Sequence, residues 1–398
     1  MKCRINKSPC RVFLDFGKMP IANGFIEKKN FNKEFFFNLE VGFSKKISLF
    51  QLNDHPKPTQ MFNKNYPFFT SSSKGMIKHF KNYSLWIKKK YKKKLKNVIE
   101  IGSNDGTFLN NFKKSNINLL GFEPSKNVAS ISKKRGIKTI NKFFNYQNVK
   151  KLKNLKKKTN IITAANAICH IPDLVSLIKG IDFLLKEDGL FIFEEPYLGS
   201  MYEKVSYDQI YDEHIFMFSA SSVKKIFDLF SFELIDAIPQ KTHGGSMRYV
   251  VARKGKFKIS INLSKILNKE KKNNIDNIKG CLKFKKGCEI SKKKLIKKLK
   301  NYKKRKLKIA GYAATSKSTT ILNYCKIGTN FIDYISDTTK EKIGKYSPGT
   351  HIPIMSMEHF KKNLPNRAFL FAWNHKNEIL KKEKKFNKKG KWFAHVNI

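Results

Sequence analysis

The run Val98-Ile99-Glu100-Ile101-Gly102-Ser103-Asn104-Asp105-Gly106-Thr107-Phe108-Leu109 constrains this chain more than any other stretch. A short apolar strand that stops on glycine, with a second glycine before the apolar pattern resumes, begins a βα unit whose loop can bring bare backbone close to a ligand. The helix expected after the loop leaves free N–H groups at its start. Further apolar runs at 119–122, 161–164 and 190–193 alternate with helical segments, as a parallel sheet requires. Leu120-Gly121-Phe122-Glu123-Pro124 ends the second strand with a carboxylate, at the position where α/β nucleotide folds hold a ribose diol. Gly102 and Gly106 supply only two glycines of a G-x-G-x-x-G pattern, so a pyrophosphate cradle is not expected. Asp105 can accept from a cation or a hydroxyl. Asn166 and His170, after the third strand, should stand at the carboxyl edge of the sheet, where open α/β folds bind ligands.

A second strand closes on glycine at Leu307-Lys308-Ile309-Ala310-Gly311, before a helix over 316–324 and a strand over 331–335. The chain therefore divides into a small module at 1–60 with short strands at 35–41 and 47–52, an α/β domain at 61–253 entered through a helix over 76–96, a Lys-rich exposed helical linker at 254–306 and a smaller α/β domain at 307–398.

Charge narrows the partners. The 82 Lys+Arg against 30 Asp+Glu give a net charge of +52, and such an excess invites a nucleic-acid reading. The lysines are, however, spread over the whole chain among many Asn, Ile and Phe, as on solvated faces, so nucleic acid is not the expected partner; an acidic small substrate fits either way. No apolar run approaches the ~20 residues of a membrane span, and Met1-Lys2-Cys3-Arg4 opens no apolar signal segment, so a cytoplasmic protein is expected. The 6 cysteines form no CxxC pair, and no metal follows from their spacing.

Seven segments occur in order: 100–109, Glu123-Pro124-Ser125, 166–170, Glu194-Glu195-Pro196-Tyr197, Tyr211-Asp212-Glu213-His214, His243-Gly244-Gly245-Ser246-Met247-Arg248 and Pro348-Gly349-Thr350-His351-Ile352-Pro353. Together they resemble the S-adenosylmethionine-dependent C-methyltransferases that act on nucleotide-linked deoxyketosugars. The resemblance implies an α/β protein with a small N-terminal zinc module, a central Rossmann-like class I methyltransferase fold and a smaller C-terminal Rossmann-like domain around one cleft.

By that resemblance, S-adenosylmethionine meets Gly102, Asn104, Asp105, Gly106, Glu123, Asn166 and His170. Tyr211, Glu213 and His214 match the catalytic motif, with His214 as base, and Tyr66 matches a tyrosine that reaches the sugar from the N-terminal side. The chemistry agrees: methylating a carbon next to a ketone needs a base to take its proton, and imidazole titrates near neutrality. Tyr197 and Tyr66 are candidate donors to the enolate oxygen. His243, Ser246, Arg248, Lys317 and His351 complete the expected contacts to a nucleotide-diphosphate sugar, Arg248 through its planar fork.

The N-terminus departs from the family pattern. Of four zinc thiolates only Cys3 is present; Asn6, Ser44 and Ile47 hold the other positions, and Cys10 does not restore the spacing. Zinc is not expected, and the module should rest on packing of Phe13, Leu14, Phe16, Phe35, Phe37 and Leu39. Two other readings compete: a methyltransferase for another small ketone or acyl substrate, and a basic nucleic-acid-binding protein on a decayed methyltransferase fold. Intact 102–106 and 211–214 segments argue against the second.

Overall fold

The structure, a computed structural model, describes residues 1–62, 66, 68–91, 95–113 and 116–397. Asn65 and Pro67, beside Tyr66, lie outside the described residues, as do 92–94 of the expected helix over 76–96.

Strands β1 (Arg11–Pro20), β2 (Phe36–Ser44) and β3 (Leu49–Leu52) form an antiparallel meander. Alternation along β2 turns Phe37, Leu39, Val41 and Phe43 onto Phe13, Leu14 and Phe16. Phe35 precedes the strand and is 46% exposed, so it is not part of the expected packing. At the positions of the family's zinc ligands, the Asn6 amide oxygen accepts from Ser8 N at 3.2 Å and Ser8 Oγ at 2.7 Å. Ser8 Oγ also meets Ser44 Oγ at 3.1 Å, and Ile47 is buried among apolar side chains. The Cys3 and Cys10 thiols act on each other, which holds the Cys3 thiol low and pushes Cys10 up. A set with one thiol, an amide, a hydroxyl and an isoleucine at the four ligand positions does not fit a four-thiolate zinc site.

Helix α1 (Lys74–Tyr91) leads into β4 (Asn97–Ile101), β5 (Asn118–Phe122), β6 (Thr139–Ile140), β7 (Thr159–Ala165) and β8 (Leu185–Pro196). β9 (Phe216–Met217) leaves to pair with β3 of the N-terminal sheet, and β10 (Phe232–Gln240) and β11 (Ser246–Arg253) complete a seven-stranded sheet of order β6-β5-β4-β7-β8-β11-β10. β4 to β8 run parallel, while β11 is antiparallel to β8 and β10. The order reverses between the β4/β5 and β4/β7 pairs, which opens a crevice at their carboxyl ends. The helix expected after Gly106 is instead a 3-10 turn at Leu109–Phe112. The Asn111 amide bonds the carbonyls of Thr107 at 2.9 Å and Phe108 at 3.0 Å, offering them an alternative to a helical ladder.

The segment expected as an exposed linker forms α2 (Ile261–Lys272) and α3 (Ile278–Lys304), each with a buried face. Glu270, fully buried on α2, accepts from Ala220 N at 2.7 Å and Ser221 N at 2.8 Å, capping the helix that starts there. Cys281, Phe284 and Cys288 of α3 complete the core of the N-terminal meander, so the Lys-rich segment is an apolar joint with a cationic outer face. Beyond it, β12 (Ile309–Tyr312), α4 (Ser316–Tyr324), β13 (Tyr334–Asp337), β14 (Ile354–Ser356), β15 (Arg367–Leu370) and β16 (Lys391–Phe393) build an all-parallel sheet of order β14-β13-β12-β15-β16, a second Rossmann-like unit. Among the described residues no helix is long and apolar enough to cross a membrane.

Candidate active site

A cavity of about 520 Å³ opens at the carboxyl ends of β4, β5 and β7. Its tightest point is Gly102, at φ +68, where a Cβ would come within 2.6 Å of Ala167 Cβ; only glycine lets the two loops meet. Gly102, Asn104, Glu123, Asn166 and His170 line the cavity. Glu123 accepts from Asn104 N at 3.0 Å and Ser125 N at 2.8 Å, and burial outweighs these bonds to raise its pKa. Asp105 is engaged: it accepts from Thr107 Oγ1 at 2.6 Å and Ser71 N at 3.0 Å, and Arg135 lies 3.2 Å away. The Asn104 amide accepts from Thr70 N at 2.8 Å and donates to Phe68 O at 3.2 Å. Asn104 and Asp105 thus strap segment 68–71 across the mouth. Glu100 Oε2, Ser103 Oγ, Asn166 Oδ1, His170 Nε2 and His243 Nε2, all from wall residues, are buried without a hydrogen-bond partner among the described residues.

Next to this cavity stands a second constellation. His214 Nδ1 lies 2.7 Å from Gln209 O, and because a carbonyl only accepts, Nδ1 carries the proton. Nε2 is then the acceptor for the Tyr211 hydroxyl at 2.8 Å. Burial, and next the charge of His170, hold the His214 pKa well below its ordinary value, so the ring is neutral near pH 7. The His170 ring lies 5.3 Å from that of His214 and 5.5 Å from Phe62, which in turn is 5.4 Å from Tyr66, an aromatic file from the cavity to His214. Burial and the neighbouring Glu213 raise the Tyr66 and Tyr211 phenols.

Segment 207–214 is held from every side. Asn23 Nδ2 donates to Glu213 Oε1 at 2.6 Å and Ala22 N to Asp212 Oδ1 at 2.9 Å, both from the N-terminal module. Thr320 Oγ1 of α4 bonds Ile210 O and Thr319 Oγ1 bonds Ala22 O, each at 2.8 Å. Asp208 accepts from Trp373 Nε1 at 2.6 Å and pairs with His395 at 3.2 Å. Behind His170, Glu195 accepts from Ala167 N at 3.0 Å and Ile168 N at 2.6 Å, and burial lifts its pKa to about 7. Sequence reasoning missed Asn23, Asp208, Trp373 and His395, and gave no such clamping role to Glu195, Thr319 or Thr320.

The expected substrate contacts divide. His243, at φ 52, lines the cavity, and burial lowers its pKa to about 3. Lys317 bonds the neutral Asn374 amide at 3.0 Å and lies 4.6 Å from the Trp373 ring, with its pKa lowered by burial. Ser246 Oγ donates to Thr242 O at 3.0 Å. Arg248 is committed elsewhere: its fork grips Glu194 at 2.6 and 2.7 Å and stacks on Tyr83 and Trp86. The Tyr197 ring lies against Gly199 and turns toward Glu270, and His351 bonds Glu34 at 2.8 Å while stacking on Phe31. Arg248 and His351 are spent on internal partners, whereas the Tyr197 hydroxyl is buried with no hydrogen-bond partner among the described residues.

A crevice with a ribose-type carboxylate, at the switch point of a sheet with one antiparallel strand next to its edge, defines a class I S-adenosylmethionine-dependent methyltransferase. Family models agree: a methyltransferase domain matches residues 77–237, a C-methyltransferase C-terminal domain 241–396 and a zinc binding domain 3–62. The chain is similar to C-methyltransferase NovU of Streptomyces niveus, 27% identical over 380 residues that cover 95% of this chain and 90% of that protein. Similar solved structures include the PH0226 protein of Pyrococcus horikoshii OT3 (15% identity, 47% of this chain and 95% of that one, TM-score 0.38) and the magnesium protoporphyrin IX methyltransferase of Synechocystis PCC 6803 with bound SAM (11%, 45% and 80%, TM-score 0.35). The three models, matched in order along the chain, together with that relative support an S-adenosylmethionine-dependent C-methyltransferase with this three-part layout.

Proposed function

We propose that the enzyme methylates the carbon next to a ketone in a nucleotide-diphosphate sugar, with His214 as general base. The carrying observation is the Tyr211–His214 pair, set beside the cofactor cavity and held by residues of all three parts of the chain. The cavity fits S-adenosylmethionine: Glu100, with Oε2 unpartnered, suits the ammonium group, the Glu123 carboxylate, which keeps lone pairs beyond its two backbone bonds, the ribose diol, and the Phe143 and Phe144 side of the wall the base. The bound cofactor supplies an electrophilic methyl group.

The chain's own residues do the rest. The Gln209 carbonyl fixes the His214 tautomer, so the Nε2 lone pair can take the substrate proton once the Tyr211 hydroxyl turns to donate elsewhere. Tyr66 and Tyr211, kept protonated by burial, donate to the enolate oxygen. The strap at 68–71 and the file of aromatic rings that leads to the buried His214 exclude water that would reprotonate the carbon. Lys317, whose hydrogen-bond acceptor is a neutral amide, can turn its amine to the diphosphate. The N-terminal module stands without zinc, on its apolar core and the bonds among Asn6, Ser8 and Ser44.

The test is incubation with methyl-labelled S-adenosylmethionine and a panel of nucleotide ketosugars. Label in a C–C-linked methyl group of one of them supports the reading. Label only in a simple ketone or acyl acceptor overturns the substrate class.

A further inference from the structure

Among the described residues, Cys169, His170 and His214 bring one sulfur and two imidazole nitrogens within 4.8 Å of one another. We infer that these three side chains form a binding site for a borderline divalent transition metal of the Zn²⁺ class inside the active site.

Four features support it. The donor set, one thiol and two imidazoles, selects Zn²⁺ or Co²⁺ over the oxygen-seeking Mg²⁺ and Ca²⁺. His170 Nε2 is buried with no hydrogen-bond partner. His214 donates from Nδ1 to the Gln209 carbonyl, the outer contact that leaves Nε2 of a metal-bound histidine free for the ion. Glu195, buried behind Cys169, has its Oε2 without a hydrogen-bond partner among the described residues, an outer carboxylate beside the sulfur. Tetrahedral Zn²⁺ holds its donors roughly 3.5 Å apart, so side-chain shifts of about 1 Å close the site. Three protein ligands leave the fourth position open. The ion and the Tyr211 hydroxyl compete for the same lone pair on His214. Occupancy therefore blocks proton abstraction, a consequence that rests on the role proposed for His214. The binding site itself does not. Spacing could not reveal it, because Cys169 and His170 follow β7 whereas His214 belongs to the separately held 207–214 segment.

The experiment titrates the chelator-treated full chain with Co²⁺ and records its absorption. One equivalent should bind with tetrahedral d–d bands and a thiolate-to-cobalt charge-transfer band, and Zn²⁺ should bleach both. Cys169→Ser should abolish the charge-transfer band and His170→Ala should weaken binding at least 10-fold, while Cys3→Ser and Cys10→Ser leave the spectrum unchanged. An unchanged far-ultraviolet circular dichroism spectrum and melting temperature show that each variant is folded; if Cys169→Ser does not fold, His170→Ala carries the test. Absence of a stoichiometric tetrahedral complex, or a band lost in Cys3→Ser and kept in Cys169→Ser, overturns the site. Deuterium exchange into substrate by metal-free protein tests His214 as base separately, so exchange that persists in His214→Ala alongside lost Co²⁺ binding would sink the base and keep the metal site.

Discussion

The two halves of the proposed active site are built in opposite ways. The cofactor half comes largely from consecutive βα units, with Gly102, Glu123 and Asn166 following successive neighbouring strands and meeting because parallel strands end together. The catalytic half is a short segment, 207–214, with little regular structure of its own, given its shape by Asn23 from one end of the chain, Thr320 and Trp373 from the other and His395 near the last residue. Local sequence can therefore encode the first, whereas the second exists only when three parts of the chain dock. Changes in the cofactor half should weaken binding and spare chemistry; changes in the catalytic half, even remote ones, should do the reverse.

The largest effect should come from His214→Ala. Exchange of the substrate proton for deuterium, followed without methyl transfer, should fall by roughly 100-fold or more, with S-adenosylmethionine affinity nearly intact. Exchange at the parent rate would move the base to His170 or Tyr66. Glu123→Ala should show the mirror image, weakening cofactor binding by about 1–3 kcal/mol in calorimetry; unchanged affinity removes Glu123 from the site and blurs the contrast between halves.

Asn23→Ala sharpens the comparison, since it lies in the N-terminal module and touches only Glu213 of the motif. Losing a hydrogen bond to a buried carboxylate should slow exchange by roughly 10-fold without altering cofactor affinity. A parallel loss of both would mean that the halves are not separable.

Asp208 links the catalytic segment to the C-terminal end and should carry a pH signature. Burial alone would raise its pKa, but His395, Lys317 and Trp373 outweigh burial and hold it below the usual carboxylate value of 3.8. A carboxyl depressed in the folded state contributes stability that is present above the unfolded pKa and lost as pH falls through the folded one. Below about pH 4 the parent should thus lose stability with a slope that Asp208→Asn reduces by up to ~1.4 kcal/mol per pH unit, measured by denaturant titration across acidic pH. Equal slopes would break the proposed clamp.

The smallest effect should be that of Cys3→Ser. A module stripped of structural zinc would forfeit ~10 kcal/mol or more, whereas loss of one buried thiol beside Cys10 should cost about 1 kcal/mol. Loss of the module's folding, with one zinc released on elemental analysis, would restore zinc to the N-terminus.

The same division governs what could be read without coordinates. The sequence by itself determined the α/β class, the crevice at the Gly102 loop and the carboxylate after β5, and it marked the 211–214 segment proposed as catalytic, because each is written in residues a few positions apart on one strand or one turn. It also suggested a fork at Arg248 and a contact at His351, but a side chain's target depends on what the fold places opposite it; Glu194 and Glu34 stand there. Likewise, the lysine run at 278–304 hides an apolar stripe that shows its use only when it meets the N-terminal meander. Tertiary structure alone decided these partners, together with the Asn23, Trp373 and His395 clamps and the approach of Cys169 and His170 to His214. Such contacts are long-range: their energy is gained only after remote segments have docked, so no local pattern of residues records them.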